Sequence, residues 1–233
     1  MVLCYFLPLM SSRSRGSALS RPRDFASSTA GVREGASLLR QQLKRETAGL
    51  HQRLEALLGL MEPELSIHRY QRVLRTFYGF YAPVEASLVR LERAGPPVGF
   101  PLRARCELIE SDLHALGLAR RELPRLPRCI ALPRLSCLED LAGCLYVLEG
   151  ACLGGQVIAP ALHQQLGVAK GSGASFFIGD AEVTSSRWML FLTWLDGLAR
   201  AGARSEEIVD SACAAFLTFA RWVERQGALQ PSV

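Results

Sequence analysis

His51 and Glu55 are the residues of this chain whose types and spacing best suit metal chemistry. The segment around them, residues 43–55, consists of good helix formers with one glycine and no proline. Residues four apart lie on one side of a helix, so the carboxylate of Glu55 falls one turn from the imidazole of His51. A neutral imidazole that binds a metal usually has its second nitrogen held by such an acceptor. The pair is compatible with an iron or zinc ligand, but taken alone it favours an ordinary polar contact at a helix edge.

The same segment carries an apolar stripe. Leucines recur at positions 39, 43, 50, 54 and 57, which is the spacing of one buried helix face. Thr47 precedes His51 by four residues and falls on the same line as His51 and Glu55. We therefore expect this polar line to border a buried surface.

A second helical segment, residues 141–158, contains four glycines. Each costs about 1 kcal/mol relative to alanine in a helix interior, so the segment needs a compensating role. Gly143, Gly150 and Gly154 are seven and four residues apart and share a face on which a flat ligand can approach the backbone. Close packing of another helix is the alternative. A planar metal macrocycle held between this face and the helix of His51 would use both features.

The remaining sequence predicts the helices that position these residues. Alternating strand patterns and internal repeats are absent, and the apolar spacing indicates an all-α fold with about six helices. Pro83 is expected to kink the second helix, and the proline-containing stretch 120–135 is expected to be extended. Ser136 and Glu139 predict a capping box, and Phe176 opens a short element. The helices are expected over about 37–60, 66–93, 101–117, 137–166, 185–201 and 205–226.

The two ends of the chain are expected to lie outside a single helical domain at residues 37–226. Residues 1–36 begin with an apolar run that is followed, and not preceded, by arginines, which is the reverse of a signal peptide. That run is also too short to span a bilayer. We predict a disordered leader over 1–36, with a transit peptide as the alternative, and a C-terminal tail over 227–233.

Charge and cysteine content exclude several classes of function. Of the formal net charge of +5, +3 belongs to residues 1–36, and no basic stripe interleaved with aromatic residues appears, so nucleic-acid binding is not expected. A basic edge that binds carboxylates or an acidic protein is compatible with this charge. The seven cysteines form no Cys-x-x-Cys pair, which argues against a zinc site and favours a reduced, cytoplasmic chain.

Three segments together resemble the heme oxygenases, in particular the bacterial, bacteriophytochrome-associated branch that produces biliverdin. They are residues 43–51 with Glu55, the aromatic stretch 77–85 and the glycine-bearing stretch 146–157. The resemblance extends over about residues 38–225. It implies a multi-helical bundle in which heme lies between a proximal and a distal helix.

The resemblance also implies individual roles. His51 corresponds to the proximal iron ligand of the family, and Glu55 to the acid that accepts its ring proton. Lys44, two turns before His51, corresponds to a residue that pairs with a heme propionate. Gly150 and Gly154 correspond to the distal glycines over the iron. Thr47 is expected to contact the heme as well.

Two positions depart from the family pattern. Many members have an aspartate directly after the first distal glycine, where this chain has Ala151. That leaves the proton relay unassigned, with Glu149, Gln156 or backbone carbonyls and water as candidates. A basic cluster that holds the second propionate in animal enzymes is replaced by the acidic stretch 178–182, so Arg187 is expected to bind that propionate.

The implied reaction is the oxidative cleavage of heme to biliverdin, carbon monoxide and ferrous iron. Heme would be both cofactor and substrate, and electrons would come from a ferredoxin or a flavoprotein reductase. Either the product would supply a bilin photoreceptor or the release of iron would be the purpose, and no membrane association is expected. The alternatives are a carrier that binds heme without degrading it and a helical interaction module. His68, His114 and His163 are expected to be surface residues.

Overall fold

The computed structural model describes residues 26–94, 98–179 and 181–227, with side chains over 38–93, 98–179 and 185–227. No strand occurs in these ranges, and the predicted all-α class is confirmed. A short 3-10 turn spans Leu123–Arg125. The α-helices of the described residues are α1 (Ala26–Leu58), α2 (Ile67–Ala94), α3 (Cys106–Ala115), α4 (Leu138–Leu166), α5 (Ser175–Ile178), α6 (Ala181–Arg200) and α7 (Ser205–Gln226).

Helix α4 forms the centre of the bundle. It packs mainly against α7, which in turn packs against α1, while α6 contacts both α1 and α4. Among the described residues it is the one helix long and apolar enough to cross a membrane, but 56% of its apolar window is buried inside the protein. A core helix that is covered on most sides has the same composition. Its apolar character is therefore explained by burial.

Two of the four glycines of α4 allow other backbones to approach it closely. A Cβ atom added to Gly143 would lie 2.5 Å from the carbonyl oxygen of Ile208 and 2.6 Å from the amide nitrogen of Ala212, both in α7. A Cβ atom added to Gly155 would overlap the carbonyl oxygen of Phe177 in α5. Helix packing, the alternative considered for the whole glycine set, thus explains these two positions. The prediction that Gly143 shares a ligand face with Gly150 and Gly154 is wrong.

Helix α2 continues through Pro83 because the carbonyl that loses its partner finds another one. Proline has no amide hydrogen, so the carbonyl oxygen of Gly79, four residues earlier, cannot be satisfied within the helix. The amide of Cys129, in the proline-containing stretch, donates to it at 2.8 Å. That approach requires a glycine, because a Cβ atom on Gly79 would lie 2.6 Å from the carbonyl oxygen of Pro127.

Several helix starts differ from the sequence expectation. Helix α1 begins at Ala26, so residues 26–36 of the predicted leader are helical, while residues 1–25 and, in the predicted tail, 228–233 lie outside the described part. Helix α6 begins at Ala181, four residues earlier than expected, and α3 begins at Cys106, five residues later. Residues 23–62 contain no proline. Once a first turn has formed, α1 can therefore extend toward the N-terminus at little cost in free energy.

The predicted capping box at the start of α4 is wrong by one residue. The N-cap is Cys137, which makes no side-chain capping bond. The carboxylate of Asp140, and not Glu139, turns back and accepts the amide of Ser136 at 2.8 Å. Arg134 also pairs with Asp140, at 3.1 Å. This ion pair favours Asp140 over Glu139 as the acceptor.

Candidate functional site

A large cavity lies between α1 and α4, and α6 and α7 contribute to its walls. It holds about 1050 Å³ of empty space, including the part open to solvent. Most of its lining is apolar or aromatic, which is typical of a site for a large organic ligand. The polar residues expected at the site, Lys44, Thr47, His51 and Glu55, all line it from α1.

His51 is three-quarters buried, and its imidazole is in a position to bind a metal. Its Nδ1 lies 3.7 Å from a carboxylate oxygen of Glu55, which is an electrostatic contact and too long for a hydrogen bond. The ring also packs edge-on against Phe216 of α7, with the centroids 5.8 Å apart. Burial lowers the pKa of His51, and the charge of Glu55 opposes that shift only in part. The imidazole is therefore neutral at pH 7, which is the form that binds metals.

Lys44 and Thr47 play different parts in the same wall. Lys44 is exposed and lines the cavity two turns before His51, where its ammonium group can reach a carboxylate on a bound ligand. Thr47 is buried, and its hydroxyl already donates to the carbonyl oxygen of Leu43 at 2.7 Å. Thr47 therefore forms part of the wall and keeps no free donor for a ligand.

Gly150 and Gly154 line the cavity from α4, as the sequence predicted. A Cβ atom added to Gly150 would meet only Trp188, at 4.0 Å, so the space beside its backbone is open. This is the opposite of Gly143, where another helix fills that space. One wall of the cavity thus offers a neutral imidazole and the other offers bare helix backbone.

The expected partner of the second propionate does not reach the cavity. Arg187 forms a two-point ion pair with Glu149, at 2.6 and 2.7 Å, and donates to the carbonyl oxygen of Pro101 at 2.8 Å. Both side chains are largely buried, so the charge of Glu149 must be compensated there. The structure therefore does not support Arg187 as a ligand-binding residue. In the acidic stretch 178–182, Asp180 and the side chains of 181 and 182 lie outside the described part.

The same ion pair argues against Glu149 as the residue that transfers protons. Glu149 is held by Arg187 and does not line the cavity. Gln156 does not line it either, and its amide nitrogen donates to Ser185 at 3.3 Å. Ala151 does line the cavity, without an ionisable group. Three candidates for the proton relay came from the sequence: Glu149, Gln156, and backbone carbonyls with water. Because neither side chain lines the cavity, the backbone carbonyls with water are the remaining candidate.

Sequence reasoning did not connect three aromatic residues of the cavity wall, Tyr146, Trp188 and Phe216, with the site. Tyr146 precedes Gly150 by one helical turn, and this spacing was a usable signal. Trp188 and Phe216 come from α6 and α7, and their positions show no local pattern that connects them to His51. Tyr81, in the aromatic stretch 77–85, is buried and also lines the cavity.

The other histidines lie away from this site. His68 and His163 are exposed, and His114 is half-buried with its Nδ1 2.7 Å from the carbonyl oxygen of Leu118. None of the three lines the cavity. The six described cysteines are free thiols. Of the four histidines, all within the described residues, His51 is the one that lines the cavity.

The residues present fit a planar metal macrocycle with acidic side groups. The open face at Gly150 would be filled by any larger side chain, the walls are apolar, and one neutral imidazole faces the interior. In a comparison with protein families, the family model for heme oxygenase matches residues 37–225 of this chain. No curated protein matches the chain. The match spans most of the sequence and includes the described cavity, and the chain belongs to the heme oxygenase family.

Proposed function

We propose that this protein is an active heme oxygenase of the bacterial, biliverdin-producing type. It would cleave heme to biliverdin, carbon monoxide and ferrous iron, with oxygen and external electrons. The observation that supports the proposal most is the pairing, across one apolar cavity, of the neutral His51 with the open backbone at Gly150.

His51 holds the iron in this proposal, and Glu55 and Phe216 orient its ring. Bound heme supplies a redox-active iron and is itself the molecule that is oxidised. A neutral imidazole gives the iron less electron density than a thiolate would, which suits oxidation of the porphyrin edge. Lys44 binds one propionate at the mouth of the cavity and so restricts rotation of the macrocycle.

The distal wall controls access to the other face of the macrocycle. Gly150 and Gly154 leave room for a small molecule beside the helix backbone, while Tyr146 and Trp188 exclude bulk water. Because Ala151 carries no acid, backbone carbonyl oxygens of α4 hold the water that delivers protons. The second propionate has no partner among the side chains predicted from the sequence.

The electron donor in this proposal is a ferredoxin or a flavoprotein reductase in the cytoplasm. Lys44 is exposed on α1 and lines the cavity, and its charge suits a donor with an acidic surface. The biliverdin would then be passed to a photoreceptor that uses it as a chromophore. Both partners follow from the family resemblance.

Addition of hemin to the purified protein tests the proposal directly. We expect a shifted Soret band on binding and, after ascorbate or a ferredoxin system is supplied in air, its decay with growth of biliverdin absorbance. A heme carrier would keep a stable heme spectrum and form no product. This outcome is the alternative because position 151 is an alanine and provides no acid for proton transfer. No spectral change on hemin addition would contradict both functions.

A further inference from the structure

The ion pair between Glu149 and Arg187 has better geometry than an ordinary surface contact. The guanidinium donates to both carboxylate oxygens, at 2.6 and 2.7 Å, and the two side chains are 8% and 13% exposed. Arg187 is further fixed by the carbonyl oxygen of Pro101 and by the ring of Phe100, whose centroid lies 4.7 Å from the guanidinium carbon. Two-point pairs of this kind restrict orientation as well as distance.

The next residue on each side of this pair faces the heme cavity. Gly150 follows Glu149 on α4, and Trp188 follows Arg187 on α6; both line the cavity. The closest atom to a Cβ added at Gly150 is Cζ3 of Trp188, at 4.0 Å. The ion pair therefore joins the two helices one residue away from two of their cavity-lining residues, Gly150 and Trp188.

The ion pair lies at the start of the glycine-rich part of α4. Three glycines, Gly150, Gly154 and Gly155, fall within six residues, and glycine makes a helix easier to bend. Gly155 is fixed by its contact with the backbone of Phe177, but Gly150 has open space beside it. A buried ion pair adds little net stability compared with apolar residues, and its value lies in fixing one geometry.

We propose that Glu149 and Arg187 are positioning residues that set the separation between the backbone of Gly150 and the indole of Trp188. This inference rests on the proposed function, because the separation then determines how the heme lies against α4 and which edge of the macrocycle is oxidised. Loss of the ion pair lets α4 and α6 move relative to one another next to the cavity. The heme then samples more than one orientation.

Fluorine NMR of ligand-free protein that contains 5-fluorotryptophan tests the positioning role without heme. The three tryptophans give three signals, and Trp188→Phe assigns one of them. In Glu149→Gln we expect the Trp188 signal to shift or broaden. The Trp222 signal should stay in place, because its indole donates to the carbonyl oxygen of Thr76 in a different part of the core. If Glu149→Gln does not fold, Arg187→Lys keeps the charge but loses the two-point geometry and serves the same purpose.

Asp196→Asn is the matched control, because it removes another ion pair of α6. Asp196 pairs with Arg40 of α1, nine residues beyond Arg187 and away from the cavity lining. We expect this variant to lose stability while the Trp188 signal stays unchanged. Identical Trp188 spectra for Glu149→Gln and the wild type would overturn the proposal.

The biliverdin isomers formed from hemin extend the test to the reaction. We expect one dominant isomer from the wild type and from Asp196→Asn, and a several-fold larger share of minor isomers from Glu149→Gln. An unchanged isomer ratio in Glu149→Gln would overturn the link between the ion pair and heme orientation. If the wild type forms no biliverdin, the proposed function fails, while the fluorine spectra still decide the positioning role.

Discussion

At the scale of single residues, the site depends on contacts that a single helix provides. His51 and Glu55 are four residues apart on α1, and their relation is set by helix geometry and little else. Burial then makes the imidazole neutral by lowering its pKa. Substitutions of His51 and Glu55 should therefore affect ligand binding more than folding.

Replacement of His51 by alanine should remove the side chain that would hold the iron and reduce heme turnover to near background. The apolar walls should still bind hemin, although more weakly and with a different Soret maximum. Absorbance titration and product assay measure both effects, and added imidazole should restore part of the wild-type spectrum. His68→Ala, at an exposed position on α2, is the control. Undiminished turnover in His51→Ala would refute the role of iron ligand.

Replacement of Glu55 by alanine should weaken hemin binding by about 10-fold, because residues that orient a metal-binding histidine typically contribute about 10- to 100-fold. The fold itself should be unaffected, since Glu55 is partly exposed. Hemin titration gives the affinity, and Glu64→Ala, an exposed acid beyond the end of α1, shows the effect of charge alone. Equal affinities for the two variants would show that Glu55 does not orient His51.

At the scale of helices, α4 uses its glycines for two purposes that mutation can separate. Gly143 and Gly155 lie against the backbones of α7 and α5, whereas Gly150 faces open space in the cavity. Alanine substitutions at Gly143 and Gly150 are therefore matched experiments on one helix with opposite expected results.

Gly143→Ala should destabilise the protein by roughly 1–3 kcal/mol, because its methyl group would push α7 away from α4. Gly150→Ala should leave stability unchanged or raise it by up to about 1 kcal/mol, since the helix gains a better helix former without a clash. Thermal or urea unfolding measures both values. Gly150→Ala should nonetheless impair heme turnover, because the methyl group enters the ligand space. A destabilised Gly150→Ala would contradict the open space at this position.

At the scale of the whole molecule, buried polar contacts connect segments that are far apart in the sequence. Asp112 of α3 is fully buried and accepts the amides of Ser175 and Phe176 at 2.7 and 2.8 Å, at the start of α5. Helix α5 in turn packs against Gly155 of α4. This chain of contacts supports α4 at Gly155, at a different position from the ion pair of Glu149.

Asp112→Ala should lower the free energy of unfolding by about 2–4 kcal/mol, because it leaves two buried amides without an acceptor. Asp112→Asn keeps one acceptor oxygen and should lose less. Denaturant unfolding of both variants gives the difference, and Ser111→Ala, at the exposed neighbouring position of α3, is the control. Equal stability of Asp112→Ala and the wild type would mean that water satisfies these amides.

The sequence by itself determined the all-α class, the relation of His51 to Glu55 and the identity of the helix whose glycines line the cavity. These features depend on residues within one or two turns of each other, where helix periodicity fixes the geometry. Only the tertiary structure decided which glycines face the cavity, because α4 is apolar on most sides and its periodicity does not show its rotation. The structure alone also paired Arg187 with Glu149, 38 residues away, and brought Phe216 against His51. Such contacts depend on how whole helices pack, and no local spacing in the sequence specifies them.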